Sequence, residues 1–100
     1  MRNGGQTRPA TLEQACGQVI VHLREEQGLS QMDLAVATGY SLRYIGDVER
    51  GTKSATLRTM NDLATLLNLG LGDLVHKAEQ RLSYKNKERD LIREKKRLIR

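Results

Sequence analysis

A glycine at position 39 divides the stretch LSQMDLAVATGYSLRYIGDVERGT, Leu29 to Thr52, into two helical patterns too short to stand alone. Isolated helices under about 12 residues are marginal in water, so neighbours must hold both. Ser30 is placed to cap the first: its hydroxyl can accept from the Asp33 amide, and Asp33 sets a negative charge where the helix dipole favours it. Leu34 and Ala35, with Met32 as a further candidate, are expected to face inward until Gly39 ends this helix. Ser41 can cap the second, Leu42 to Arg50, which turns Ile45 and Val48 to the core and is closed by Gly51. Between Val36 and Ile45 the chain must reverse through three or four residues, and helices joined so closely cross steeply.

The flanking sequence supplies the neighbours. Leu12, Ala15, Cys16, Val19, Ile20 and Leu23 fall at helical spacing, which predicts an amphipathic helix over about 12–27 with Thr11 as N-cap. Gly28 follows it where a left-handed residue belongs. Thr56 or Ser54 can cap a fourth helix with Leu57, Met60, Leu63, Ala64 and Leu67 on one side. A turn at Gly70 or Gly72 leads into a fifth, where Leu74, Val75, Ala78 and Leu82 continue the stripe. Beyond it Tyr84, Leu91 and Leu98, with Ile92 and Ile99, recur at seven-residue intervals, a sparse heptad signal that predicts a helical extension frayed or disordered toward its end. The first ten residues, MRNGGQTRPA, lack apolar periodicity and read as a mobile arm. The expected organisation is an arm over 1–10, one domain over 11–80 and a basic extension over 81–100.

Composition narrows the function. The chain is 38% hydrophobic with no Trp or Phe, so Leu, Val, Ile, Ala and Met must build the core, which suits helices. The single cysteine, Cys16, excludes an internal disulfide or a cysteine-based zinc site and reads as core filler in a reducing compartment. Neither His22 nor His76 has a partner at ligand spacing. No apolar run approaches the roughly 18 residues of a membrane span, and the N-terminus has no apolar signal region, so a cytoplasmic location is expected. Of the net charge of +5, the part over 81–100 stands out: nine Lys and Arg against three acids. The rest is nearly neutral. That asymmetry calls for a polyanion near the tail, nucleic acid or anionic lipid, with a merely solubilising face as the alternative.

The ordered set LREEQGLSQMDLA, TGYSLRYIGDVERG and LRTMNDLATLLNL resembles the Cro/phage-repressor helix-turn-helix family, also called the XRE family, over about Leu12 to Val75. The resemblance implies an all-α, five-helix, lambda-repressor-like DNA-binding domain whose second short helix enters the major groove. Leu42, Arg43, Tyr44, Gly46 and Asp47 then fall on the base-reading half of that helix, with Ser41 at its start. Arg43 is the foremost candidate, because a guanidinium can bond the O6 and N7 edge of guanine twice. Asp47 could accept from a cytosine amino group or orient Arg43 from one turn away. Gly46 departs from the commoner polar residue. Gln31 matches a glutamine that holds a DNA phosphate in relatives, and Ser41, Arg50, Thr52, Lys53 and Ser54 are further phosphate candidates. Arg24 and Glu49 match a structural salt bridge, and Leu71, Leu74, Val75, Ala78 and Leu82 a homodimer contact on the fifth helix.

These features point to a sequence-specific transcription regulator, a repressor that binds double-stranded DNA as a homodimer on palindromic half-sites and controls its own gene. The alternative is an antitoxin-type interaction protein whose tail binds a partner protein. Binding of the tail to a membrane surface is a weaker third, since its apolar face is thin. No cofactor or metal is called for, and an enzyme is least expected: no nucleophile-base pairing or glycine-rich phosphate loop is present among the motifs.

Overall fold

Local capping accounts for where most helices begin. The computed structural model describes residues 8–82 and 85–99, with 85–88 by backbone alone. Among the described residues six helices follow one another: α1 Leu12–Glu26, α2 Gln31–Thr38, α3 Leu42–Arg50, α4 Leu57–Leu66, α5 Leu71–Arg81 and α6 Lys85–Leu98. There is no strand among the described residues. Thr11, Ser30, Ser41 and Thr56 each accept a hydrogen bond from the amide three residues on, at 3.0 or 3.1 Å. Each cap is worth about 1 kcal/mol. At Ser30 the cap is reciprocal, since its amide donates to the Asp33 carboxylate at 2.7 Å. Among the described N-caps, Gly70 before α5 is the one without a side-chain bond.

Three helix ends share one geometry. The amides of Leu29, Thr52 and Leu69 reach back to the carbonyls of Arg24, Asp47 and Ala64 at 2.8, 3.0 and 3.0 Å. Gly28, Gly51 and Asn68 make these turns possible by taking φ of +73°, +72° and +67°. Asn68 does so as the residue type that, after glycine, best tolerates the left-handed region.

The core draws on the first five helices. Ala15, Cys16, Val19 and Ile20 of α1 meet Leu34 and Ala35 of α2, Ile45 and Val48 of α3, Met60, Leu63 and Ala64 of α4, and Leu74 and Ala78 of α5. Leu67 and Leu82, just past α4 and α5, complete it. Each fully buried large side chain contributes roughly 1.5–3 kcal/mol. α1 packs on α3 and α5, α2 on α3 and α4, and α4 on α5. Arg89 to Ile99 of the extension are all exposed. Burial, then the nearby Glu13 carboxylate, push the Cys16 thiol up to about 11, so it stays protonated and inert.

Several expectations need correction. Met32 is 53% exposed because it precedes Leu34 by two residues, about 200° around the helix. Leu57, the first residue of α4, is 75% exposed at the edge of a groove. Leu82 belongs to the core, so a boundary at 80 cuts it. Pro9 is buried and the Ala10 amide donates to the Gln14 side chain at 2.8 Å, which ties the end of the expected arm to α1. The rest of that arm, 1–7, and Tyr84 lie outside the described residues.

Candidate nucleic-acid interface

The turn between α2 and α3 is three residues long, Gly39 to Ser41, and Gly39 makes it possible with φ +84°. It sets α3 with Ile45 and Val48 in the core while Ser41, Leu42, Arg43 and Arg50 remain exposed. Arg43 makes no ion pair or hydrogen bond among the described residues, so its guanidinium is available to a ligand.

α3 is fastened at its C-terminal half by a buried network. Glu49, whose side chain is only 4% exposed, accepts from Arg24 Nε at 2.6 Å and from Arg24 Nη2 at 3.1 Å. Arg24 also donates through Nη1 to the Leu29 carbonyl at 3.1 Å, which joins α1, α3 and the turn before α2. The hydrogen bond to Glu49 leads the upward shift of the guanidinium. Gln31 adds a third donor, Nε2 to Glu49 Oε1 at 2.7 Å. The side chain expected at a phosphate therefore has one amide hydrogen committed inward.

The N-terminal half of α3 is fastened by a chain of hydroxyls. Tyr44 donates to Thr59 Oγ1 at 3.3 Å, Thr59 to Tyr40 at 3.3 Å, and Tyr40 to the Asp62 carboxylate at 2.7 Å. The two tyrosine rings meet edge to face with centroids 5.4 Å apart. The bond to Asp62 raises the Tyr40 phenol above its ordinary range. Tyr44 is thus half-buried and turned toward α4, away from the exposed position expected of a base reader.

Two further placements differ from expectation. Gly46 is buried rather than exposed, because Arg50 lies over it: a Cβ there would stand 3.0 Å from Arg50 Nη1. Asp47 does not orient Arg43. It accepts instead from Arg50 at 2.8 Å and from the Thr52 hydroxyl at 3.4 Å, with Lys53 Nζ at 3.7 Å. Partial burial pulls its carboxyl up, but the Arg50 hydrogen bond, Lys53 and Thr52 together outweigh this and hold it below its ordinary range. Three phosphate candidates, Arg50, Thr52 and Lys53, so converge on one carboxylate. Ser54 donates to Glu13 at 3.2 Å. The Asp-to-Arg spacing of three residues within a helix could have signalled the Asp47–Arg50 pair. The bonds of Thr59 to the two tyrosines carried no sequence signal, since Tyr44 and Tyr40 are 15 and 19 residues away.

The expected contact on α5 is largely consumed by the monomer. Leu74 and Ala78 are fully buried and Leu82 is 6% exposed, because α5 packs its apolar stripe on α1. Leu71 and Val75 remain half-buried, lining an apolar groove with Leu12, Cys16, Leu57 and Met60 among others. Among the described residues no group of three or more His, Cys, Asp or Glu could hold a metal, and no helix is long and apolar enough to cross a membrane.

A family model described as helix-turn-helix matches residues 20–74, from the middle of α1 into α5. The HTH-type transcriptional regulator y4dJ of Sinorhizobium fredii is 34% identical over 59% of this chain and 77% of its own length. The ImmF control region 10 kDa protein of Bacillus phage phi105 is 36% identical over 58% of this chain and 64% of its own. Among solved structures, the restriction-modification controller protein C.AhdI from Aeromonas hydrophila superposes with a TM-score of 0.60 at 38% identity, over 66% of this chain and 98% of that one. The clp gene regulator ClgR from Corynebacterium glutamicum reaches 0.71 at 24% identity over 87% and 92%, a likeness of fold. With the turn, the proud α3 and these likenesses together, the chain belongs to the XRE-type helix-turn-helix family of DNA-binding transcription regulators.

Proposed function

We propose that this protein is a sequence-specific repressor that reads operator DNA through α3 and binds as a homodimer on two related half-sites. The observation that carries this is Arg43, exposed and uncommitted on a helix whose opposite face is fixed by core packing and by the Glu49 network. Arg43 reads guanine, with Leu42 against a thymine methyl. Ser41, Thr52, Lys53 and Ser54 hold phosphates, as does Gln31 through its second amide hydrogen and the amides at the start of α2. The five helices that share the core form a lambda-repressor-like unit, and α6 flanks the operator and adds phosphate contacts. The dimer forms across the groove that Leu71 and Val75 share with Leu12 and Leu57. Such a protein acts in the cytoplasm, needs no cofactor, and is suited to repress its own gene.

A second reading draws on α6 and the residue after it, where Leu91, Ile92, Leu98 and Ile99 are 61–79% exposed. Phosphates explain the cations of this helix but not its aliphatics, which favour an antitoxin-type role in which α6 also covers a partner protein. Binding selection from a random DNA pool, run with the full chain and with one ending after Leu82, tests both. A palindromic consensus from both chains supports the dimeric repressor. Failure of both to select any sequence contradicts it and favours the partner protein.

A further inference from the structure

Arg43, Gly46, Asp47 and Arg50 recur at i, i+3, i+4 and i+7, so they share one stripe of α3. Arg50 does not extend past the end of the helix. Its Nη1 and Nη2 would lie 3.0 and 3.5 Å from a Cβ at Gly46, and Nη2 donates to Asp47 Oδ1 at 2.8 Å. The side chain therefore runs back across the bare backbone of Gly46. Four residues of helix rise, about 6 Å, separate the two positions, so this fold carries the charge toward the half of α3 where Arg43 stands.

We propose that Arg50 is a second base-reading residue of α3, a guanine reader, positioned by Asp47 and given its path by Gly46. The inference rests on reading α3 as the recognition helix. A guanidinium has five donors, and the bond to Asp47 uses one of them. An edge remains for two parallel bonds to guanine O6 and N7. At a phosphate the Asp47 carboxylate would offset part of the attraction of Arg50, whereas a neutral guanine edge carries no charge for it to repel. A base reader gains what Asp47 supplies, a fixed guanidinium plane. The side chain is 60% exposed, so the free edge is open to a ligand.

The test is selection from a random DNA pool with the full chain, comparing the unaltered protein with Gly46→Ala and Asp47→Asn. Gly46→Ala adds one methyl group and no charge, and alanine is the better helix former, so the variant folds. Circular dichroism verifies this. The expected result is that both variants lose preference at one guanine position, distinct from the position lost in Arg43→Ala. The loss is between about 5-fold and 150-fold, with the salt dependence of Gly46→Ala binding unchanged. If Gly46→Ala keeps every base preference, while Arg50→Ala weakens all sequences alike and lowers the salt slope by about one, Arg50 is a phosphate contact only and the proposal is overturned. If the unaltered protein selects no sequence, the reading of α3 itself fails and takes this proposal with it.

Discussion

Gly17 of α1 lies directly against the backbone of Glu49 in α3: a Cβ at position 17 would run into the carbonyl oxygens of both Val48 and Glu49. Backbone touches backbone there, which brings α1 close enough for Arg24 to reach Glu49. The obstacle is main chain, which cannot rotate aside as a side chain can. Gly17→Ala is therefore expected to destabilise the fold by at least the 1–3 kcal/mol typical of overpacking, despite alanine's helix propensity. Urea denaturation measures this, and an unchanged midpoint would count against the close packing.

Removing one partner of the Arg24–Glu49 pair should cost more than removing both. Glu49→Ala strands a guanidinium that is only 14% exposed and deprives Gln31 of its acceptor, a loss of roughly 3–5 kcal/mol. A double replacement by apolar residues of similar size should recover much of that. The comparison is again by denaturant, and a single-variant loss below about 1 kcal/mol would mean the pair is no anchor.

The capping box of α2 predicts an acid-side dependence of stability. The Ser30 amide, then the Ser30 hydroxyl's involvement, hold the Asp33 carboxyl below its ordinary value of 3.8. Because its folded value is the lower one, Asp33 binds fewer protons in the folded state and favours folding whenever it is ionised. Its contribution is complete above 3.8 and is lost as pH falls from there through the folded value. Asp33→Asn should flatten this part of the stability curve. Thermal unfolding of both proteins between pH 2 and 6 would reveal it, and parallel curves would refute it.

If the groove is the dimer contact, a charge at its rim should separate the protomers without harming either. Leu57 is 75% exposed and contributes little to the monomer core, so Leu57→Asp should leave the melting temperature of a monomer unaltered. Sedimentation should then show the dissociation constant rising at least tenfold, as expected when an apolar anchor worth more than about 1.4 kcal/mol is lost. Dimers of unchanged affinity would place the contact elsewhere.

The sequence spoke most clearly where structure is local. Ser30, Ser41 and Gly39 act on amides a few residues away, and the helices they bound lie where their spacing predicts. The Arg24–Glu49 pair, 25 residues apart, was legible only through the family resemblance. Periodicity identifies the apolar stripe of α5 but cannot say what covers it, and α1 takes Leu74 and Ala78, which the family resemblance gives to a dimer partner. Tyr44 has an apolar body and a polar tip, and nothing local told that the tip would turn to Thr59. The resemblance puts Gly46 on the exposed, base-reading face, and nothing local tells that Arg50 bends back a full turn to cover it. Asn68 carries no such signal, since its left-handed turn stands in a place usually given to glycine.

The central claim is that α3 reads base sequence, with Arg43 foremost. The most direct measurement is competition binding of the full chain and of Arg43→Ala to the selected site and to its single-base variants, at one fixed salt concentration. A loss of roughly 1–3 kcal/mol on the selected site, with discrimination abolished at one guanine and kept elsewhere, is the predicted result. Unchanged discrimination at every position, or an equal weakening on all of the sites, would show that Arg43 does not read a base and contradict the placement of α3 in the groove.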